Sequence, residues 1–186
     1  ILNLYTMIPK TEREQIIALI NREVVPAIGC TEPIAVALCV AKATETLGCR
    51  PEKIQAYLSA NILKNAMGVG IPGTGMVGLN IAVALAMVCG KAEYGLEVLK
   101  DLTPADVEKA KAYSATAGNV KIALAQTDKK LYIDAKAYFT DNNGEEHFGR
   151  TIIADDHDAI VFVAKDEEVI LDNRNDSATQ QQAQTE

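Results

Sequence analysis

The spacing of apolar and polar positions along this chain changes period once, near Gly118. Before that point it is helical. Ile16, Ile17, Ile20 and Val24 recur at helix spacing behind Thr11-Glu12-Arg13-Glu14, which reads as a capping box, and Pro26 stops the run. The pattern predicts a helix over 12–25. Residues 33–47 are apolar on all sides until Lys42, and residues 77–88 are apolar except for Asn80. Helices without a polar face belong in the interior, so these two are expected to pack together at the centre. Residues 54–60 fit a strand or a short helix, and periodicity leaves both open. A short helix is expected over 94–100. Another should start at Thr103-Pro104-Ala105-Asp106, with Thr as cap, Pro in the first turn and Asp at the positive end of the dipole.

After Gly118 apolar residues alternate with polar ones. Val120, Ile122 and Leu124 form one alternating set, and Leu131, Ile133, Ala135, Ala137 and Phe139 form the next. Asp141-Asn142-Asn143-Gly144 is a hairpin turn. Further strands are expected over 146–154, 159–164 and 169–171, and the short connections favour antiparallel pairing. The expected fold is therefore α+β. A helical N-terminal half with buried apolar helices occupies 8–116, and a largely antiparallel sheet of four or five strands occupies 117–171. A polar tail or linker covers 172–186, and residues 1–6, ahead of Met7, read as a vector remnant or upstream sequence. No internal repeat is visible.

Composition narrows the function classes. The 186 residues are 48% hydrophobic, enough for one substantial core or two small ones. The net charge of −7, with no basic block, argues against nucleic acid and anionic membrane surfaces as partners. The longest apolar run, 81–89, is far shorter than the ~20 residues of a membrane span. Cys30, Cys39, Cys49 and Cys89 form no C-x-x-C pair, so a zinc ribbon is disfavoured. The apolar start is too short and lacks the basic region of a secretory leader, so reduced thiols in a cytoplasm are the expectation.

The chemistry centres on Pro26-Ala27-Ile28-Gly29-Cys30-Thr31-Glu32-Pro33. Gly29 permits a tight turn, Thr31 can cap the apolar helix that follows, and Pro33 suits its first turn. Cys30 is thus expected at a helix N-terminus, where unpaired N–H groups and the dipole favour a thiolate able to act as base, nucleophile or metal ligand. A buried structural cysteine is the alternative.

A second block, Lys64-Asn65-Ala66-Met67-Gly68-Val69-Gly70-Ile71-Pro72-Gly73-Thr74-Gly75, contains G-x-G-x-x-G. A nucleotide-binding oxidoreductase would need a strand ending at the first glycine and further βα units, and neither is indicated. An anion cradle fits better. Gly73, Thr74 and Gly75 can offer N–H groups to a carboxylate, with Lys64 and Asn65 adding a cation and an amide. A glycine-rich loop made only for close packing, with Lys64 solvated, is the bland alternative. His147 and His157 are the only histidines. His147 has outward strand parity. His157, flanked by Asp155, Asp156 and Asp158, reads as part of a solvated turn.

These two blocks, in this order and at this separation, resemble the motifs of the L-cysteine desulfidase family, relatives of the alpha chain of iron–sulfur L-serine dehydratases. The similarity runs over about 8–170. It implies β-elimination from L-cysteine or L-serine to pyruvate and ammonia, with sulfide released from cysteine. It implies a 4Fe–4S cluster in the full-length family. Cys30 matches the family's N-terminal active-site cysteine, a base or an exchangeable cluster ligand. Substrate binding is carried over to Thr31, Glu32, Lys64, Asn65, Gly73, Thr74 and Gly75. The family's main cluster-ligating cysteines lie beyond residue 186. The expectation is accordingly an N-terminal portion, inactive alone, that works with the missing C-terminal part or a separate cluster-bearing chain. A homo-oligomer is left open. The competing expectation is a non-catalytic module that binds a small anion or amino acid.

Overall fold

The computed structural model describes residues 8–24, 27 and 29–175. The expectations for residues 1–6, for Pro26 as a helix stop and for most of the polar tail lie outside these residues.

The first helix, α1 (Lys10–Glu23), begins at the N-cap Pro9 and carries no side-chain cap. Thr11 lies inside it, so the expected capping box does not form: the helix starts ahead of Thr11, with a backbone bond from Arg13 to the Pro9 carbonyl. α2 (Thr31–Leu47) follows and is buried over most of its length, as its lack of a polar face requires. Its N-cap is Cys30 rather than Thr31. β1 (Lys53–Leu58) alternates half-buried and buried residues, so the 54–60 segment is a strand up to Leu58, and Ser59 is the N-cap of the helix that starts at Ala60. α3 (Ala60–Ala66) leads into a two-stranded hairpin of β2 (Gly70–Ile71) and β3 (Met76–Val77). α4 (Leu79–Cys89) is the second wholly apolar helix. A short 3-10 segment at Ala92–Glu97 stands where the helix over 94–100 was expected. α5 (Pro104–Ala115) starts as its sequence directs, with the Thr103 hydroxyl accepting from the Asp106 amide in a full capping box.

The sheet contains β4 (Val120–Leu124), β5 (Tyr132–Thr140), β6 (Glu146–Ala154), β7 (Ile160–Lys165) and β8 (Glu168–Asp172), together with β1. Its order is β4-β1-β5-β6-β7-β8, antiparallel throughout except for the parallel β1–β4 pair. The fold is therefore α+β with a largely antiparallel sheet. β1, from the helical half, is an inner strand of that sheet, and a single core draws on both halves of the chain.

α2 lies across β5 and β6, α4 packs beside it, and α5 packs on α4. Small residues make the approach close. Ala135 and Ala137 of β5 and Ala37, Ala41 and Ala43 of α2 are all buried. Gly149 of β6 sits directly under α2, and a Cβ there would collide with the Ala43 carbonyl and the Leu47 amide. A glycine inside a strand marks this kind of backbone approach. On the other face of the sheet Ile152, Phe162 and Ala164 form a smaller cluster. The Arg150 guanidinium lies over the Phe162 ring and donates to both Asp134 oxygens at 2.9 and 2.7 Å. No described helix is long and apolar enough to cross a membrane.

Candidate functional site

Gly29 and Cys30 form the sharp entry into α2. Gly29 has φ +92°, and an added Cβ would lie 2.9 Å from Pro72 Cγ, so the Cys30 turn rests directly on the glycine-rich loop. The two sequence motifs therefore meet in space.

Glu32, in the first turn of α2, joins them chemically. Its Oε2 accepts from Cys30 Sγ at 2.9 Å, with the Thr31 hydroxyl at 3.5 Å, and its Oε1 accepts from Asn65 Nδ2 at 3.2 Å. Asn65 comes from α3, immediately after the core strand β1. One carboxylate thus takes donors from both motifs, and Cys30 and Asn65 remain exposed to solvent.

The electrostatics follow from this arrangement. The Cys30 hydrogen bond, first among the causes, holds the Glu32 carboxyl below the usual carboxylate range, with the Asn65 amide and the charge of His157 adding to it. The same hydrogen bond, with some burial, raises the Cys30 thiol. This corrects the expectation of a thiolate. A helix N-terminus does favour negative charge, but Glu32 already supplies it, and a thiol proton bridging to that carboxylate is the better arrangement. The pair is a protonated thiol beside an ionised carboxylate.

His157 lies in the turn between β6 and β7, among exposed Asp155, Asp156 and Asp158, as its acidic neighbours suggested. His147, on the far hairpin, pairs instead with Asp166 at 3.0 Å.

The other predicted site residues divide. Lys64 is exposed, and among the described residues it forms no ion pair. Gly73, Thr74 and Gly75 precede α4 but do not stand at its terminus. They form the tip of the β2–β3 hairpin, and α4 begins only after β3, with Gly78 as its N-cap. Thr74 is committed to the turn: its amide bonds to the Ile71 carbonyl at 3.2 Å, and its hydroxyl donates to the same oxygen at 2.7 Å and accepts from the Met76 amide at 2.9 Å. A dinucleotide fingerprint is ruled out by the order of elements, because α3 separates β1 from Gly68.

A cluster of the 4Fe–4S type requires convergent thiolates. The chain's cysteines do not provide them. Cys39 is fully buried in α2, its thiol bonded to the Thr151 carbonyl at 3.2 Å and pushed upward by desolvation. Cys89 donates to the Leu85 carbonyl at 3.4 Å and is pushed up to about 11 by burial. Cys49 lies beyond the opposite end of α2 from Cys30. These residues do not fit a cluster held by this chain alone. Asp141, Glu145 and His147 bring their ligand atoms within 4.8 Å of one another, but on an exposed hairpin where Asp141 Oδ1 already accepts from the Asn143 and Glu145 amides.

Fold and site together define an α+β protein with a thiol–carboxylate pair at a buried helix's N-terminus, tied by an amide to a glycine-rich loop. No protein-family model and no solved structure matches it. Curated relatives do. The chain is 57% identical over 178 residues to the UPF0597 protein of Phocaeicola vulgatus, which is 95% of this chain and 40% of that protein. It is 55% identical over 177 residues to the UPF0597 protein of Bacteroides fragilis, covering 95% and 40%. With the UPF0597 protein of Aeromonas hydrophila it shares 41% identity over 162 residues, covering 87% and 35%. The chain thus spans about 40% of the length of the Phocaeicola and Bacteroides relatives.

Proposed function

We propose that this chain supplies the proton-transfer groups of a β-eliminating lyase acting on L-cysteine or L-serine, of the iron–sulfur kind whose motifs it resembles. The observation that carries the proposal is the Glu32 carboxylate, held between the Cys30 thiol of one motif and the Asn65 amide of the other. Two adjacent titratable groups with oppositely shifted affinities for the proton are the usual form of an acid–base pair.

Elimination of HX across Cα–Cβ breaks the Cα–H bond. The proton passes to the Cys30 sulfur as the thiol's own proton moves along the 2.9 Å hydrogen bond to Glu32. The C–H electron pair becomes the Cα=Cβ bond, and the β-sulfur or β-oxygen leaves with its own pair. The aminoacrylate product then tautomerises and hydrolyses to pyruvate and ammonia. Asn65 fixes the carboxylate's orientation. Lys64, exposed beside Asn65, is the available cation for the substrate carboxylate. The 73–75 hairpin tip supports Pro72, which seats the Cys30 turn. The cysteines of this chain do not converge on a common point and do not fit a cluster held by it alone. Activation of the leaving group belongs to residues outside this chain, in a continuing polypeptide or a second chain. All four cysteines being free fits a reducing, cytoplasmic setting.

The non-convergent cysteines also favour a second reading, in which this chain alone binds the amino acid without turning it over. Titration calorimetry of the chain with L-cysteine and L-serine, without iron, tests that reading directly. The lyase proposal is tested by anaerobic sulfide and pyruvate release from L-cysteine. After iron–sulfur reconstitution the intact Phocaeicola relative should be active and the 186-residue chain should not. An intact protein with verified cluster and no elimination from either amino acid refutes the lyase.

A further inference from the structure

Among the described residues, nothing covers the apolar side of α1. Every residue from Lys10 to Asn21 is exposed, including Ile16 at 40%, Ile17 at 50%, Leu19 at 49% and Ile20 at 50%. An isolated helix of about this length is marginal in water, and helices in proteins are held chiefly by burying such a face. The Lys10–Glu14 pair, at 3.8 Å and largely solvated, adds little. A second candidate surface lies between α3 and the start of α4. Leu63, Met67, Val77, Leu79 and Ile122, with Gly78 and Asn80, line a hollow of about 330 Å³, with Met67 63% and Val77 67% exposed. Large apolar side chains left this exposed around a hollow are the kind that a contact buries.

The helix itself narrows the occupant. Lys10, Arg13 and Arg22 balance Glu12, Glu14 and Glu23 within α1, so it has no cationic excess to hold a membrane surface, which a lipid-bound amphipathic helix shows. A protein surface remains. The curated relatives supply one: the alignment takes in 95% of this chain but only 40% of the Phocaeicola protein, which is about two and a half times as long.

We infer that the apolar face of α1 and the Met67–Val77 hollow are covered by the polypeptide by which those relatives exceed this chain.

The test is amide hydrogen exchange in two existing proteins: this chain, and the intact Phocaeicola relative. Exchange across the segment matching Lys10–Glu23 should be at least ~100-fold slower in the intact protein, a gain typical of tertiary burial. It should be independent of protein concentration. Replacing the residues that align with Ile16 and Ile20 by Asp should abolish the protection, and Asp at the position of Val77 should reduce it, circular dichroism reporting that the fold survives. Equal exchange in both proteins overturns the inference. So does protection that rises with concentration, which would make a second copy the occupant, or protection indifferent to all three substitutions. The readout needs no substrate, so its failure would leave the lyase proposal standing, and the reverse also holds.

Discussion

At Cys30 a helix terminus and a carboxylate compete for one proton, and the carboxylate decides the outcome. The Glu32 side chain holds the thiol protonated, and the thiol holds Glu32 ionised. The sequence shows both residues two positions apart but does not show that the side chains turn toward each other, which is why it favoured a thiolate. Peptide-resolved alkylation of Cys30 against pH should give a midpoint above that of an ordinary exposed thiol. Glu32→Gln removes the negative neighbour and leaves the helix terminus, so the midpoint should fall. An unchanged or higher midpoint would show that Glu32 does not control this thiol. Glu32 also links stability to pH. Its folded value lies below its ordinary one, so the stabilisation is present at neutral pH and is lost as pH falls through the folded value. In Asn65→Ala that acid-side loss should be smaller, because one donor favouring the ionised form is gone, as urea unfolding at a series of acid pH values would show.

At the scale of elements, the chain is legible wherever local chemistry is sufficient. Thr103-Pro104-Ala105-Asp106 forms the cap its residues specify, and Thr103→Ala should cost about 1 kcal/mol in urea unfolding. The all-round apolar character of α2 and α4 places both in the core. Thr11 shows the limit: a capping box was present in sequence, but the helix extends past it to Pro9. Long-range pairing is the other limit. Nothing local in 53–58 or 120–124 states that β1 and β4 run parallel, since a parallel pair is joined by a crossover of distant elements. Gly149 carries a message that becomes clear only beside α2. Gly149→Ala forces the helix off the sheet and should destabilise by about 1–3 kcal/mol or more, measured by denaturant midpoint. A loss below a few tenths would mean that the helix and sheet are not in contact there.

For the whole molecule, topology gathers the two motifs into one place, through a glycine turn resting on Pro72 and an amide reaching from α3 to α2. The sequence shows the two motifs and their order, but not that Glu32 joins them, because that contact is made between α2 and α3. Anaerobic iron–sulfur reconstitution of the 186-residue chain should leave it without the broad visible absorbance of a cluster, since Cys30, Cys39 and Cys49 are spread from end to end of α2 and Cys89 ends α4. The measurement that reaches the central claim most directly is exchange of the L-cysteine or L-serine Cα proton with deuterated water, followed by mass spectrometry in the intact relative under anaerobic conditions. Substituting the cysteine that aligns with Cys30 by Ala should slow exchange by at least ~100-fold, the usual range for losing a general base, while the cluster absorbance is kept. Exchange at the wild-type rate in that variant would contradict the account and return Cys30 to a structural role.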